Sequence, residues 1–153
     1  MPNLFPELMK VVTAGDVAPE TGKSQVAFGR SWKFDFAVGE FVISTTGRVH
    51  EISDTDAWFE WCKKALSTAR FRYPIYSHNY GEEYTAMIGK SYPREIAESE
   101  IKRMTKECLL VDPRTASVES FSFSWQDDAA YFVCAVANVH RETKNVQGEV
   151  VIY

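Results

Sequence analysis

The order of residue patterns predicts an α+β fold. It comprises an N-terminal extended arm and β-hairpin, two long helices with a short one between, and a C-terminal antiparallel sheet. Three observations carry this. Period-two alternation of aromatic and polar residues is confined to two stretches, one from Trp32 and one from Phe121. Helical spacing of apolar residues is confined to the middle. Segregation of strands from helices marks α+β rather than α/β. At 153 residues the chain suits one domain, with residues 1–29 as the extended arm and 30–153 as a single α+β unit.

The arm holds Pro2, Pro6 and Pro19 and shows no sustained period. "SWKFDFAVGEF" alternates Trp32, Phe34 and Phe36 with Lys33 and Asp35 and predicts a half-buried strand. "EFVIS", a turn at Thr46-Gly47 and "RVHEI" complete a hairpin. In "SDTDAWFEWCKKALSTAR" Ser53 or Asp54 can cap a helix whose acids lie early and bases late. Its buried face is Trp58, Trp61, Cys62, Ala65 and Ala69. "FRYPIYSHNYG" breaks at Pro74 into a tyrosine-dense loop, and "EEYTAMIGK" predicts a short helix ended by Gly89.

Pro93 opens the second long helix, where its missing N–H costs nothing. Ala97, Ile101, Met104 and Cys108 form its apolar seam. "SFSFSW" and "YFVCAVANV" are strands joined by "QDDA"; a polar loop, "HRETKNVQG", leads to a last strand, "EVVIY". A sheet of two or three strands leaves an edge with unpaired N–H and C=O groups. The last strand, with Val150 and Ile152, is the expected edge.

Composition removes several function classes. The net charge of −4 argues against nucleic-acid binding, which needs a basic face. The first residues lack a basic region followed by an apolar stretch, and no run approaches the length of a membrane span, so a soluble protein made in the cytoplasm is expected. Cys62, Cys108 and Cys134 lie in apolar periodic segments without CxxC spacing, which predicts buried thiols rather than metal ligands. His50, His78 and His140 are scattered. No glycine-rich phosphate loop occurs. Glu82-Glu83 and Glu95/Glu98 could be drawn as a glycosidase pair, but acids at helix starts are explained by the helix dipole. No catalytic, cofactor-binding or metal residue is assigned.

Two stretches point instead to protein binding. Arg70 and Arg72 alternate with Phe71 and Tyr73, and Tyr76 and Tyr80 follow. Arginine among aromatic rings is a common hot-spot composition. In "CLLVDPRTAS", Pro113 ends the helix before it but leaves the flanking Asp112 and Arg114 unexplained. They can form a salt-bridged corner or be read by another molecule, since a guanidinium fork suits a carboxylate or carbonyl groups.

Taken in order, "LFPE", "WKFDFAVGEF", "ALSTARFRYPIYSHNYG", "MIGK", "EIAESEIKRMTKECLLVDPR" and the closing strands resemble the sheath-initiator and baseplate-wedge family of contractile phage tails. The likeness is to its XkdS-like form in PBSX-type prophages and other myophages of Gram-positive hosts. Members carry a Glu-Pro-Arg motif where this helix ends, which corresponds here to Asp112-Pro113-Arg114 with an acid one methylene shorter. "YPRE" (Tyr92 to Glu95) opens the helix and is not the motif. The resemblance implies a non-enzymatic structural part of the virion, assembled in the host cytoplasm in multiple copies around the tail axis. The partners it implies are the tail sheath protein and baseplate wedge proteins, with the tail tube or hub also in reach, and neither nucleic acid nor membrane. It puts Asp112, Pro113 and Arg114 against a partner and names the strands added at the sheet edge as those of the first sheath ring. A peptidoglycan-cleaving glycosidase and a generic protein-binding adaptor are the alternative functions.

Overall fold

The computed structural model describes residues 25–152, so the expected arm lies outside the described residues except for its last five. Residues 25–29 carry no ladder pairing. A ribbon follows, formed by β1 (Arg30–Trp32), β2 (Phe34–Asp35), β3 (Glu40–Phe41) and β4 (Glu51–Ser53). β1 pairs antiparallel with β4, and β2 with β3. The single expected hairpin is therefore two small pairs. Partners change at Lys33, whose N–H donates to the His50 carbonyl at 2.9 Å while its carbonyl accepts from Val42 at 3.0 Å. The aromatic strand is cut after Asp35, whose carboxylate accepts the N–H groups of Ala37 and Val38 at 2.9 and 3.3 Å. Side-chain acceptance of this kind builds a turn from an aspartate. The turn at Gly47 stands where expected, but Ile43 and Val49 flank it with one isolated bridge.

The first helix, α1 (Asp54–Leu66), has Asp54 and Asp56 in its first turn and Lys63 and Lys64 in its last. Ser53 occupies the N-cap without capping by its side chain; its hydroxyl donates to the Asp54 carboxylate at 3.3 Å instead. Ala57, Trp58, Cys62 and Ala65 are buried. Ala69 lies past the helix end, bridged to Glu82.

The short helix expected between the two long ones is not an α-helix. Tyr84–Met87 is a single 3₁₀ turn of four residues, closed by i→i+3 bonds from Ala86 to Glu83 at 3.0 Å and from Ile88 to Thr85 at 3.3 Å. Three-residue spacing eclipses side chains, which puts Tyr84 and Met87 into the core together. Ile88 is extended, so no second turn forms.

α2 (Arg94–Leu110) follows Pro93 and buries Ala97, Ile101, Met104 and Cys108, together with Thr105 and Leu109. β5 (Thr115–Gln126), β6 (Ala129–Asn138) and β7 (Thr143–Val151) form an antiparallel sheet in that order. α2 packs against β5 and α1 against β7. β7 begins inside the polar stretch expected as a loop. Its even residues Val146 and Val150 are buried while Asn145, Gln147 and Glu149 are not, so polar residues here are the outer half of a strand. Gly148 sits opposite Phe132, where a Cβ would stand 2.5 Å from the ring. Trp58 is fully buried and its indole N–H donates to Thr115 Oγ1 at 3.0 Å, which ties α1 to the start of β5.

Candidate protein-interaction site

α2 ends at Leu110 with Val111 as C-cap, as Pro113 requires. Asp112 is buried and Arg114 turns back onto it. The guanidinium donates to Asp112 through Nε at 2.9 Å and through a terminal nitrogen at 2.5 Å, and the Arg114 N–H adds a bond at 2.8 Å. The other terminal nitrogen reaches the Phe28 carbonyl at 2.7 Å. The guanidinium also lies 5.9 Å from the Trp61 ring centroid, and Phe28 stacks on His140 at 4.7 Å. Of the two roles open to these residues, the described chain forms the salt-bridged corner, and the corner clasps residue 28. What faces outward is apolar: Leu110, Val111 and Pro113 are exposed.

The aromatic stretch is a loop with a closed neck. The Arg70 N–H donates to the Glu82 carbonyl at 2.7 Å, and the Glu82 N–H to the Thr68 carbonyl at 2.8 Å. Gly81 makes this closure possible: its φ is +102°, and a Cβ would lie 2.5 Å from the Thr68 oxygen. Arg70 completes the neck through Nε to the Gly81 carbonyl at 3.1 Å and an ion pair with Glu83 at 2.7 Å. Compact loops with joined ends are frequently functional.

Everything from Phe71 to Asn79 is exposed. Ile75 reaches 87% exposure and Phe71 67%. Tyr80 is half-buried, edge-on to Trp61 at 5.8 Å, and Tyr76 leans on Tyr80 at 4.7 Å. Arg72 lies over Tyr73 and pairs with no carboxylate among the described residues. Of the four residues singled out from sequence, Arg70 and Tyr80 hold the loop while Arg72 and Tyr76 are presented by it. Sequence reasoning included Phe71 in the alternating stretch but did not single out Ile75. The available signal was an apolar residue after Pro74 with no periodic partner to bury it.

At the sheet, β5 and β7 are the edge strands. Val150 and Ile152 point inward, at 2% and 1% exposure. The Ile152 N–H donates to the Asp128 carbonyl at 3.0 Å, and its carbonyl accepts from Gly89 at 2.9 Å. Asn138 donates likewise to the Glu142 carbonyl at 3.0 Å. Alternation along a strand then leaves the N–H groups of Asn145, Gln147 and Glu149 facing away from β6. The β6–β7 register runs unbroken from Thr143 to Val151, whereas β5 is interrupted between Thr115 and Ser117 and between Glu119 and Ser122.

The thiols and carboxylates considered for chemistry are employed locally. Burial pushes the thiols of Cys62 and Cys108 up to about 12 and that of Cys134 to about 11, which removes the reactive thiolate at neutral pH. Glu82 accepts the Tyr84 N–H, and burial raises its carboxyl above the ordinary range. Glu83 is held by Arg70, and Glu98 accepts the Trp125 indole N–H at 3.0 Å.

With these charged pairs consumed inside the chain, the described surface presents apolar and main-chain groups of the kind suited to contact with other proteins. Comparison with known proteins agrees: residues 30–140 match the family described as contractile injection system sheath initiator. The chain belongs to that family. Over 133 residues, 85% of this chain and 90% of the relative, it is 28% identical to phage-like element PBSX protein XkdS of Bacillus subtilis (strain 168). Its role is that of a structural component of a phage tail or related contractile injection system.

Proposed function

We propose that the protein is a baseplate component that joins the wedge to the first sheath ring and initiates sheath assembly, by binding and not by catalysis. The observation that carries this is the outer edge of β7, a regular edge with unpaired N–H groups on an otherwise well-packed sheet. Strand addition draws affinity from main-chain hydrogen bonds, and an unbroken register is what an incoming strand needs. The bulges in β5 blunt the opposite edge. Membership of a sheath-initiator family supports the tail sheath as the source of such a strand.

In this arrangement Val150 and Ile152 act by anchoring the edge strand in the core. The loop presenting Arg72 and Tyr76, held by Arg70 and Tyr80, is the wedge contact. At the Asp112-Pro113-Arg114 corner the internal ion pair fixes the outer surface of Pro113 for a neighbouring baseplate chain. Several copies around the tail axis in the virion, assembled in the host cytoplasm, complete the picture.

Gln147→Pro tests the edge. Its side chain and N–H both face out, and proline is tolerated at such edge positions. The variant folds, joins the baseplate and yields tubes without sheath in electron micrographs of induced particles. Sheaths of normal length on those tubes would refute the edge assignment. Ile152→Pro is a poorer test, because it removes the Ile152 N–H bond to the Asp128 carbonyl inside the fold.

A further inference from the structure

The ribbon of residues 30–53 carries a second apolar surface. Val38 is 69% exposed, Ile43 66%, Trp32 51% and Phe41 49%. None of the ribbon's large apolar side chains is buried, although paired strands this short are marginal alone in water. Trp32, Phe41 and Val49 line one open groove of about 580 Å³, rimmed by Arg48 and Glu51. The ribbon is held in place from behind. The Phe34 N–H donates to Glu60 Oε1 at 2.8 Å, and Lys63 fixes that carboxylate at 2.8 Å. Lys64 reaches the Trp32 carbonyl at 3.4 Å. The groove is therefore formed before anything enters it.

The rim charges choose the occupant. Glu51 is neutralised by Arg30 at 2.9 Å, while Arg48 has no carboxylate partner among the described residues. An apolar groove with one uncompensated cation at its lip fits an apolar side chain followed by a carboxylate. We infer that the Trp32–Phe41–Val49 groove is a docking site for an apolar-acidic segment of a partner protein, with Arg48 reading the acid. This surface is separate from the β7 edge and from the 71–80 loop, and its occupation does not depend on either.

The test uses the full chain, ¹⁵N-labelled, with the Trp32 indole signal assigned by its loss in Trp32→Phe. The capped peptides Leu-Phe-Glu-Glu and Leu-Phe-Lys-Lys share one apolar half and differ only in charge. The acidic peptide moves the Trp32 and Val49 signals saturably and binds tighter than the basic one, by about fivefold for one exposed ion pair. Arg48→Glu reverses the order of the two peptides, and Arg48→Lys keeps it. Equal binding of both peptides, or shifts confined to other parts of the chain, would overturn the proposal. So would movement of the Trp32 signal with protein concentration alone, because the occupant would then be a second copy. If Gln147→Pro leaves sheath assembly intact but the acidic peptide still binds here, the edge assignment fails and the groove stands.

Discussion

The sheet with its two helices and the ribbon with its loop use the same kinds of residue for opposite ends. Phe132, Trp58 and Val136 are at most 1% exposed, whereas Trp32, Phe41 and Ile75 stand about half or more in solvent. Hydrophobicity does not separate the two groups; layer thickness does. Three strands backed by two helices enclose a volume in which a large side chain can be surrounded, and full burial is worth about 1.5–3 kcal/mol each. A two-stranded ribbon and a ten-residue loop have no second layer. Their apolar groups stay on the surface until another chain covers them, and large uncovered patches of this kind mark interaction sites.

The contrast can be broken first in the core. Trp58→Ala removes the largest buried side chain and strands Thr115 without its indole donor. It should cost about 3–5 kcal/mol by chemical denaturation. A loss near zero would mean that α1 does not share a core with the sheet.

The corner between the two regions comes next. Arg114→Ala leaves a buried carboxylate with only its backbone donor and releases the Phe28 carbonyl. A loss of about 2–3 kcal/mol is expected, part of the penalty for an unpaired buried charge. Arg114→Lys should recover some of it, because one ammonium can meet Asp112 but cannot also reach Phe28. An unchanged Tm for Arg114→Ala would show that the arginine contributes little to folding and leave contact with a partner as its main role.

The exposed region should respond in the opposite sense. Ile75→Ser and Tyr76→Ala remove solvent-facing groups and should shift stability within about 0.5 kcal/mol, while sharply reducing incorporation into baseplates. Cooperative unfolding at much lower denaturant in both variants would place the loop with the core instead.

Acid titration gives the smallest effect. Asp56 is held below the ordinary carboxylate range by its hydrogen bond and ion pair with Lys144, and Glu142 by hydrogen bonds from Thr55 and Asn138. A lowered folded pKa stabilises above the unfolded value, so this contribution is lost as pH falls below about 4. Burial raises the Glu82 carboxyl, so its contribution has the reverse sign: it is present in acid and lost as pH rises through the folded value. Glu82→Gln should therefore steepen the fall in Tm between about pH 6 and about pH 3. A flat profile in both proteins would remove these pairs from the stability account.

Where the apolar period was long, the sequence was sufficient. The seam of Ala97, Ile101, Met104 and Cys108 is buried as its spacing requires, and the Pro113 stop falls where backbone sterics put it. Those are local effects, fixed by residues within a few turns of one another. The fate of Glu82-Glu83 and of "EEYTAMIGK" was not local. A 3₁₀ turn replaces the expected helix because Tyr84 must meet Thr105 at 2.6 Å and Met87 must enter the same core. "TKNVQG" looks like a loop until β6 supplies a partner that turns its polar residues into an outer face. Asp112 and Arg114 were legible as a pair with two possible roles. Only the contact of Arg114 with Phe28, 86 positions away along the chain, decided which one the folded chain adopts. Patterns within one element determine its type because they act through the chain's own geometry. Which surface is covered, and which charge is paired inside, depends on residues that only folding brings together.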